Sequence, residues 1–309
     1  MPRSHSVPRL AAIIIGGIVL LAHAAFAHTQ PRVVASIVSI HSLVAGVMDG
    51  IGVPELLLRG AGSPHTYSLR PSEARALNQA GVVFWIGPAF ESFMRKPLTA
   101  LSKKARIVEL GRIPDVTVLP AREGGNWGDH AHGKSDAAET DWHLFLDPDN
   151  AKAIVRAAVL ALSEADTTNQ ARYAANGETM IKRLDALDVE LRQSLAPVRG
   201  KPFVVFHDAY QYFERRYGLN AVGSITVSPE RAPGAQRLQR LRKQITDLKA
   251  VCVFSEPQFA STVVRTVIER TPANTGVLDP LGATVTPGPT AYFDMMRARA
   301  RSLTTCLSG

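Results

Sequence analysis

The sequence predicts an α/β fold with two lobes, each a parallel sheet flanked by helices, joined by one long rigid helix. Short apolar runs alternate with amphipathic segments as far as Leu110, and the same alternation restarts from Arg199. Such alternation is typical of parallel sheets with helical crossovers. A charged stretch without proline, about residues 170–195, separates the two alternating halves. We therefore expect a long helix that connects the lobes.

The first half begins with an apolar strand and a helix, and proline lies near the start of the second helix. Glycines bound the next buried strand, and a further helix and strand reach Leu110. Proline is favoured in the first helical turn, because the N–H that it lacks has no partner there. The predicted elements are strand Val33–Val38, helix Ser39–Gly50, helix Ser68–Ala80 and strand Gly81–Gly87.

A polar, glycine-rich stretch, residues 121–141, interrupts the alternation and is predicted to be a flexible exposed loop. A strand over residues 142–146 and a helix from Asp147 to about Glu164 are expected after it. In the second half, strands are expected near residues 203, 221, 251 and 276, with a last helix from about Pro289. The expected organisation is a signal peptide, an N-terminal lobe, a connecting helix and a C-terminal lobe, at residues 1–27, 28–168, 169–197 and 198–309.

The amino-terminal segment has the three parts of a secretory signal. Arg3 and Arg9 precede an apolar core, Leu10–Leu21, and Ala25–Ala27 is a small-x-small cleavage site. The apolar core is shorter than the about 20 residues that a membrane anchor needs. We expect cleavage after Ala27 and a periplasmic protein. Because no cysteine lies near this site, lipid attachment is not expected.

The chain is basic, with a formal net charge of +8 at pH 7. A basic balance can indicate nucleic-acid binding, but the lysines and arginines are scattered along helical faces and the chain is expected to be exported. We therefore interpret the charge as a solvated surface and expect no nucleic-acid partner.

The chain has two cysteines, Cys252 in an apolar strand and Cys306 in the last helix. Export places them in an oxidising compartment, where an even pair is most simply a disulfide. The bridge would hold the carboxyl terminus onto the second half.

Three histidines and one aspartate are the candidate metal ligands. His65 lies in a Ser-Pro-His turn, His143 in the predicted 142–146 strand, His207 at the end of the Phe203–Phe206 strand, and Asp279 after another strand. In open α/β sheets, ligands bind beyond the carboxyl ends of the strands. Three imidazoles and a carboxylate suit zinc, whereas calcium and magnesium prefer oxygen ligands. Donor type alone leaves copper, nickel and cobalt open.

Four stretches around these residues resemble the signature stretches of periplasmic zinc-binding proteins of ABC transporters, the ZnuA type. The resemblance covers nearly the whole mature chain, in the right order. The stretches are Gly60–Ser72, Trp142–Pro148, Phe206–Phe213 and Leu278–Gly282.

This resemblance implies a monomeric, non-enzymatic receptor that holds one Zn(II) ion in the cleft between its lobes and delivers it to an inner-membrane ABC permease. Carried over by motif, the ligands are His65, His143 and His207, with Asp279 or a water in the fourth place. The related manganese receptors usually have glutamate at the position of His207, which favours zinc. Asp129, His130 and His132 are what remains of the family's histidine-rich loop and can at best form a weak second site.

Three alternative functions are a hydrolase, a receptor for another metal and an adhesin. A secreted zinc-dependent hydrolase would use similar ligands but would leave one position open for water and supply a general base. The sequence contains no H-E-x-x-H motif, and four protein ligands would close the site. A receptor for another transition metal such as manganese is the second alternative. No sequence feature supports an adhesin.

Overall fold

The first of two four-stranded parallel sheets is built from the amino-terminal half. The computed structural model describes residue 1 and residues 30–102, 104–122, 127, 140–226, 234–260, 262–269 and 271–308. The sheet has the order β2-β1-β3-β4. Its strands are β1 (Val33–Ala35), β2 (Glu55–Leu56), β3 (Val82–Trp85) and β4 (Arg106–Glu109).

A short antiparallel ribbon follows in the chain and belongs to neither large sheet. It pairs β5 (Leu119–Pro120) with β6 (Thr140–Asp141). The backbone N–H of Leu119 donates to the Tyr212 hydroxyl at 2.8 Å, and that hydroxyl donates to the Asp141 carbonyl at 2.7 Å. The ribbon is therefore docked on a segment from the second half of the chain.

The second parallel sheet has the order β10-β9-β7-β8 and is formed by the carboxyl-terminal half. Its strands are β7 (Pro202–Val205), β8 (Asn220–Ser224), β9 (Cys252–Ser255) and β10 (Asn274–Val277). The predicted α/β fold with two parallel sheets is confirmed, and all four strands of this sheet lie where the apolar runs predicted them.

The helices flank these sheets, and α5 is the long helix that the charged stretch predicted. None of the helices in the described parts of the chain combines the length and apolar character needed to cross a membrane. The helices are α1 (Val38–Val47), α2 (Pro71–Gln79), α3 (Arg95–Leu101), α4 (Pro148–Ala165), α5 (Gln170–Leu195), α6 (Gln211–Tyr217), α7 (Ala235–Asp247), α8 (Thr262–Ile268) and α9 (Ala291–Leu307).

The prediction of a strand over residues 142–146 is wrong. These residues include a short 3-10 turn, Leu144–Leu146, whose three side chains are fully buried. An apolar run shows only that its side chains are buried, and periodicity over so few residues does not separate a strand from a buried turn. The turn leads directly into α4, which begins at Pro148, with the Asp147 carboxylate accepting from the Asp149 N–H at 2.7 Å.

The two halves share one continuous apolar core, because α9 packs against elements of the first half. The Tyr292 backbone N–H donates to the Ser42 hydroxyl at 2.9 Å, and the Tyr292 hydroxyl donates to the Phe145 carbonyl at 3.0 Å. The predicted disulfide is confirmed: Cys252 in β9 and Cys306 in α9 are bonded, with their Cα atoms 6.2 Å apart. The last helix is thus covalently tied to the second sheet while it contacts the first half.

Candidate metal centre

Three histidines that are far apart in the sequence converge in one small cavity. A ring nitrogen from each of His65, His143 and His207 lies within 4.8 Å of the other two. The cavity has room for about one water-sized sphere, roughly 10 Å³. Its other walls are mostly apolar and include Pro64, Phe259, Pro280 and Leu281. The site can therefore hold a single ion in surroundings that exclude most water.

Each histidine is positioned by a different local structure. His65 lies in the turn that begins at Ser63, where the Thr66 N–H donates to the Ser63 carbonyl at 3.2 Å. His143 lies between β6 and the 3-10 turn. His207 lies two residues beyond the carboxyl end of β7, the edge of a parallel sheet at which ligand sites are usual.

Buried carboxylates fix the ring orientation of two of these histidines. His143 Nδ1 lies 2.8 Å from Asp141 Oδ1, and His207 Nδ1 lies 2.7 Å from Glu256 Oε1. An ionised carboxylate can only accept, so each Nδ1 carries a proton, and in the neutral imidazole Nε2 keeps its lone pair. Carboxylate–histidine pairs of this kind orient metal ligands and raise their basicity.

The two Nε2 atoms freed in this way face each other, 3.4 Å apart. An ion with tetrahedral geometry and metal–nitrogen distances of about 2.0–2.1 Å separates two of its ligand nitrogens by about 3.3–3.4 Å. When both rings are neutral, these two nitrogens have no hydrogen to share, so their lone pairs repel. A cation between them would remove the repulsion, which makes this spacing suited to a metal ion.

The two buried imidazoles differ in their pKa values. Burial lowers the pKa of His143 well below its usual value, and the nearby His207 acts in the same direction. Burial also acts to lower the pKa of His207, but the charge of Glu256 and its hydrogen bond outweigh this, so the pKa of His207 is raised. Burial raises the pKa of Asp141 to about 6. His143 is thus ready to coordinate a metal at neutral pH, whereas at His207 a metal must compete with a proton.

Comparison with known proteins agrees with this geometry. The family model described as "Zinc-uptake complex component A periplasmic", ZnuA, matches residues 33–306. The chain belongs to the ZnuA family. It is 43% identical to the high-affinity zinc uptake system protein ZnuA of Brucella suis biovar 1, with 100% of both chains covered. It is 37% identical to the protein of that name from Yersinia pestis, over 89% of this chain and 91% of the relative.

A solved structure titled "Crystal structure of ZnuA" has the same fold, with a TM-score of 0.77. It covers 90% of this chain and 100% of its own, at 24% sequence identity. At this identity the likeness bears on the fold alone. The two parallel sheets and the long helix are therefore the architecture of the ZnuA fold.

The fourth predicted ligand, Asp279, is not part of the histidine group in this ZnuA-family chain. Its Oδ1 accepts from the N–H groups of Leu281 at 3.1 Å and Gly282 at 2.9 Å, and from the Gln258 amide at 3.0 Å. Its Oδ2 accepts from the Thr284 N–H at 3.3 Å. These bonds give the carboxylate a structural role in the turn after β10, and its role as a ligand stays a prediction. Asp129, His130 and His132 lie outside the described residues.

The sequence interpretation missed the two carboxylates that orient the histidines. Glu256 directly follows the last residue of β9, so the rule that drew attention to His207 at a strand end could also have found it. Asp141 lies two residues before His143, and its carboxylate accepts the His143 backbone N–H at 3.0 Å as well. The sequence did not indicate either carboxylate, because an acidic residue near a turn is usually solvated. Only the structure shows that these two are buried.

A Glu256→Gln variant is expected to bind zinc about 10- to 100-fold more weakly, because loss of such an orienting carboxylate typically has this effect. The amide can still accept from His207 Nδ1, but it removes the negative charge that favours coordination. Isothermal competition titration measures the change. The matched control is Glu190→Gln, whose carboxylate pairs with Arg297 on the surface and should leave zinc affinity unchanged. Equal affinities for wild type and Glu256→Gln would contradict this role.

Proposed function

We propose that this protein is a high-affinity zinc receptor, which captures Zn(II) between its two halves and delivers it to the permease of an ABC transporter. The observation that carries the proposal is the pair of buried Nε2 atoms of His143 and His207, 3.4 Å apart, with a ring nitrogen of His65 beside them. The name of the Brucella relative, a high-affinity zinc uptake system protein, supports the same function.

We propose His65, His143 and His207 as zinc ligands, with Asp279 or a water in the fourth place. Three imidazoles suit zinc, copper or nickel, whereas manganese prefers oxygen donors. For Asp279 to coordinate, its carboxylate must exchange at least the Gln258 bond for the metal. An Asp279→Ala variant separates the two arrangements, because a water ligand survives the substitution and a carboxylate ligand does not.

We propose a transport role without catalysis. A zinc hydrolase needs a general base near the metal-bound water. Two carboxylates are hydrogen-bonded to the histidines, those of Asp141 and Glu256. Each already accepts a hydrogen bond from an imidazole Nδ1 atom. Both are therefore engaged in holding ligands, which favours binding over hydrolysis.

The receptor is proposed to act in the periplasm as a monomer, after cleavage following Ala27. We propose residues 28–168 and 198–309 as its two lobes, with residues 169–197 as the connector. The extent of α5, Gln170–Leu195, supports this connector. The family description as a periplasmic component supports the compartment.

The test of this function is elemental analysis of protein purified without added metal, followed by competition titration with zinc and manganese. We expect one equivalent of zinc per chain and tighter binding of zinc than of manganese. Equal or tighter binding of manganese would overturn the metal assignment. Hydrolase activity that is lost when the metal is removed would favour the enzyme instead.

Zinc affinity is expected to fall as the pH decreases, because a protonated imidazole cannot coordinate. The raised pKa of His207 means that proton competition begins above the usual value of about 6.5. Because the pKa of His143 is lowered, protons compete with zinc for this ligand only in more acidic solution. The measurement is the zinc dissociation constant from pH 5 to 8. A constant that does not change over this range would contradict histidine ligation.

A further inference from the structure

A partly buried arginine, Arg122, bridges two carboxylates on the segment that carries His207. Its Nε donates to Asp208 Oδ2 at 2.9 Å, while Nη1 and Nη2 donate to Glu214 Oε2 and Oε1 at 2.7 and 2.9 Å. The Trp127 ring covers one face of the guanidinium, with its centroid 3.5 Å from Cζ. The side chains of Arg122, Asp208 and Glu214 are 19%, 14% and 7% exposed. This is a planar, largely desolvated clamp.

The clamp joins the two chain segments that supply the facing histidines. Arg122 lies two residues beyond β5, whose partner strand β6 ends at Asp141, the residue that orients His143. Asp208 is the residue after His207, and Glu214 lies on α6. Arg122 therefore ties the ribbon next to His143 to the segment that holds His207.

Two α6 side chains hold the same ribbon but carry no charge. Tyr212 bonds the backbone of both ribbon strands. The Gln211 amide, in the orientation that satisfies its neighbours, donates to Asp141 Oδ2 at 3.1 Å and to the Pro120 carbonyl at 3.0 Å. Without Arg122, however, the carboxylates of Asp208 and Glu214 would face each other in a buried region with no cation between them. Their repulsion would push the Asp208 segment and α6 apart, and the ribbon would lose its ionic contact with both.

We propose that Arg122 is a positioning residue of the zinc site, which sets the spacing between His143 and His207 by holding the ribbon against α6. This inference rests on the proposed zinc-binding function. Arginine suits the position because its rigid fork can bond two carboxylates at once, whereas a lysine ammonium is a single point of charge. The geometry thus requires arginine and not merely a positive charge.

The test compares Arg122→Ala and Arg122→Lys with a matched control, Arg216→Ala. Arg216 lies on α6 and, like Arg122, bonds carboxylates, with Nε and Nη2 donating to Asp188 at 2.9 and 2.8 Å and Nη1 contacting Asp149. Nη1 also lies 3.6 Å from Asp147 Oδ1. The Arg216 side chain is 14% exposed, close to that of Arg122, and none of its partners belongs to the ribbon. The readouts are the zinc dissociation constant at 25 °C, the visible spectrum of the Co(II)-loaded protein and the metal-free melting temperature.

We expect zinc binding to weaken about 10- to 100-fold in Arg122→Ala, within the range for residues that orient ligands, and to a smaller extent in Arg122→Lys. The Co(II) bands, which report ligand geometry, should change in both variants. Arg216→Ala should lower the melting temperature while its zinc affinity and Co(II) spectrum stay as in wild type.

Wild-type affinity and Co(II) bands in both Arg122 variants would overturn the proposal and leave Arg122 a stabilising residue only. An equal loss of zinc affinity in Arg216→Ala would also overturn it, because general loosening of α6 would then explain the effect. Failure of the wild-type protein itself to bind zinc would instead overturn the proposed function. Arg122→Lys keeps the test decisive if Arg122→Ala does not fold.

Discussion

A His207→Ala variant is expected to lose nearly all of the zinc-induced rise in melting temperature. Metal that binds only the folded state stabilises it by about 4 kcal/mol at a thousandfold excess over Kd, which is about 5–10 °C for a chain of this size. If loss of His207 weakens binding a thousandfold, only about 0.4 kcal/mol remains at the same zinc concentration. Differential scanning fluorimetry with and without zinc measures the shift.

The matched control for this variant is His41→Ala. His41 is also a buried histidine, but it lies on α1 and its Nε2 contacts the Pro54 carbonyl at 3.0 Å. Its loss should lower the metal-free melting temperature and leave the zinc-induced shift at its full size. The metal-free melting temperature of His207→Ala should also fall, because the buried Glu256 carboxylate loses its imidazole partner. A full zinc-induced shift in His207→Ala would show that His207 is a core histidine and not a ligand.

Removing the disulfide is expected to lower the free energy of unfolding by about 4 kcal/mol. The bridge closes a loop with a sequence separation of 54 residues, and the chain-entropy model gives about 4 kcal/mol for a loop of this length. The variant is Cys252→Ala with Cys306→Ala, because alanine adds no polar group at these buried positions. Urea denaturation with the wild-type protein as reference measures the change.

Zinc affinity should survive this change, because Cys252 begins β9 while Glu256 follows its other end. A reducing agent should destabilise the wild-type protein by a similar amount and should have no effect on the double variant. If neither reduction nor the double substitution lowers stability, the bridge does not hold α9 onto the second sheet in the way proposed.

Most of the fold could be predicted because its strands are short, apolar and separated by helical patterns. The strands β7 to β10 and the helix α5 lie where the sequence predicted them. Two errors have one cause. The apolar run that was predicted as a strand to Val38 ends its strand at Ala35 and continues into α1. The run Leu144–Leu146 is a 3-10 turn. Burial, not strand geometry, explains both runs.

The histidines could be identified from the sequence because each lies in a recognisable turn or strand end. The cluster joins residues up to 142 positions apart, from His65 to His207. The sequence could not show that Asp141 and Glu256 orient these rings, since hydrogen bonds over 49 residues, as between His207 and Glu256, depend on tertiary structure. Asp279 shows a different limit. An aspartate between a strand and a proline is consistent both with a metal ligand and with a hydrogen-bonded turn, so the sequence does not distinguish the two roles.

We propose that His65, His143 and His207 together hold one zinc ion. Anomalous diffraction at the zinc edge from crystals of the zinc-loaded protein tests it most directly. We expect one strong peak about 2.0–2.1 Å from a ring nitrogen of each histidine. A peak that lies elsewhere, or that lacks one of these three nitrogens, would contradict the assignment.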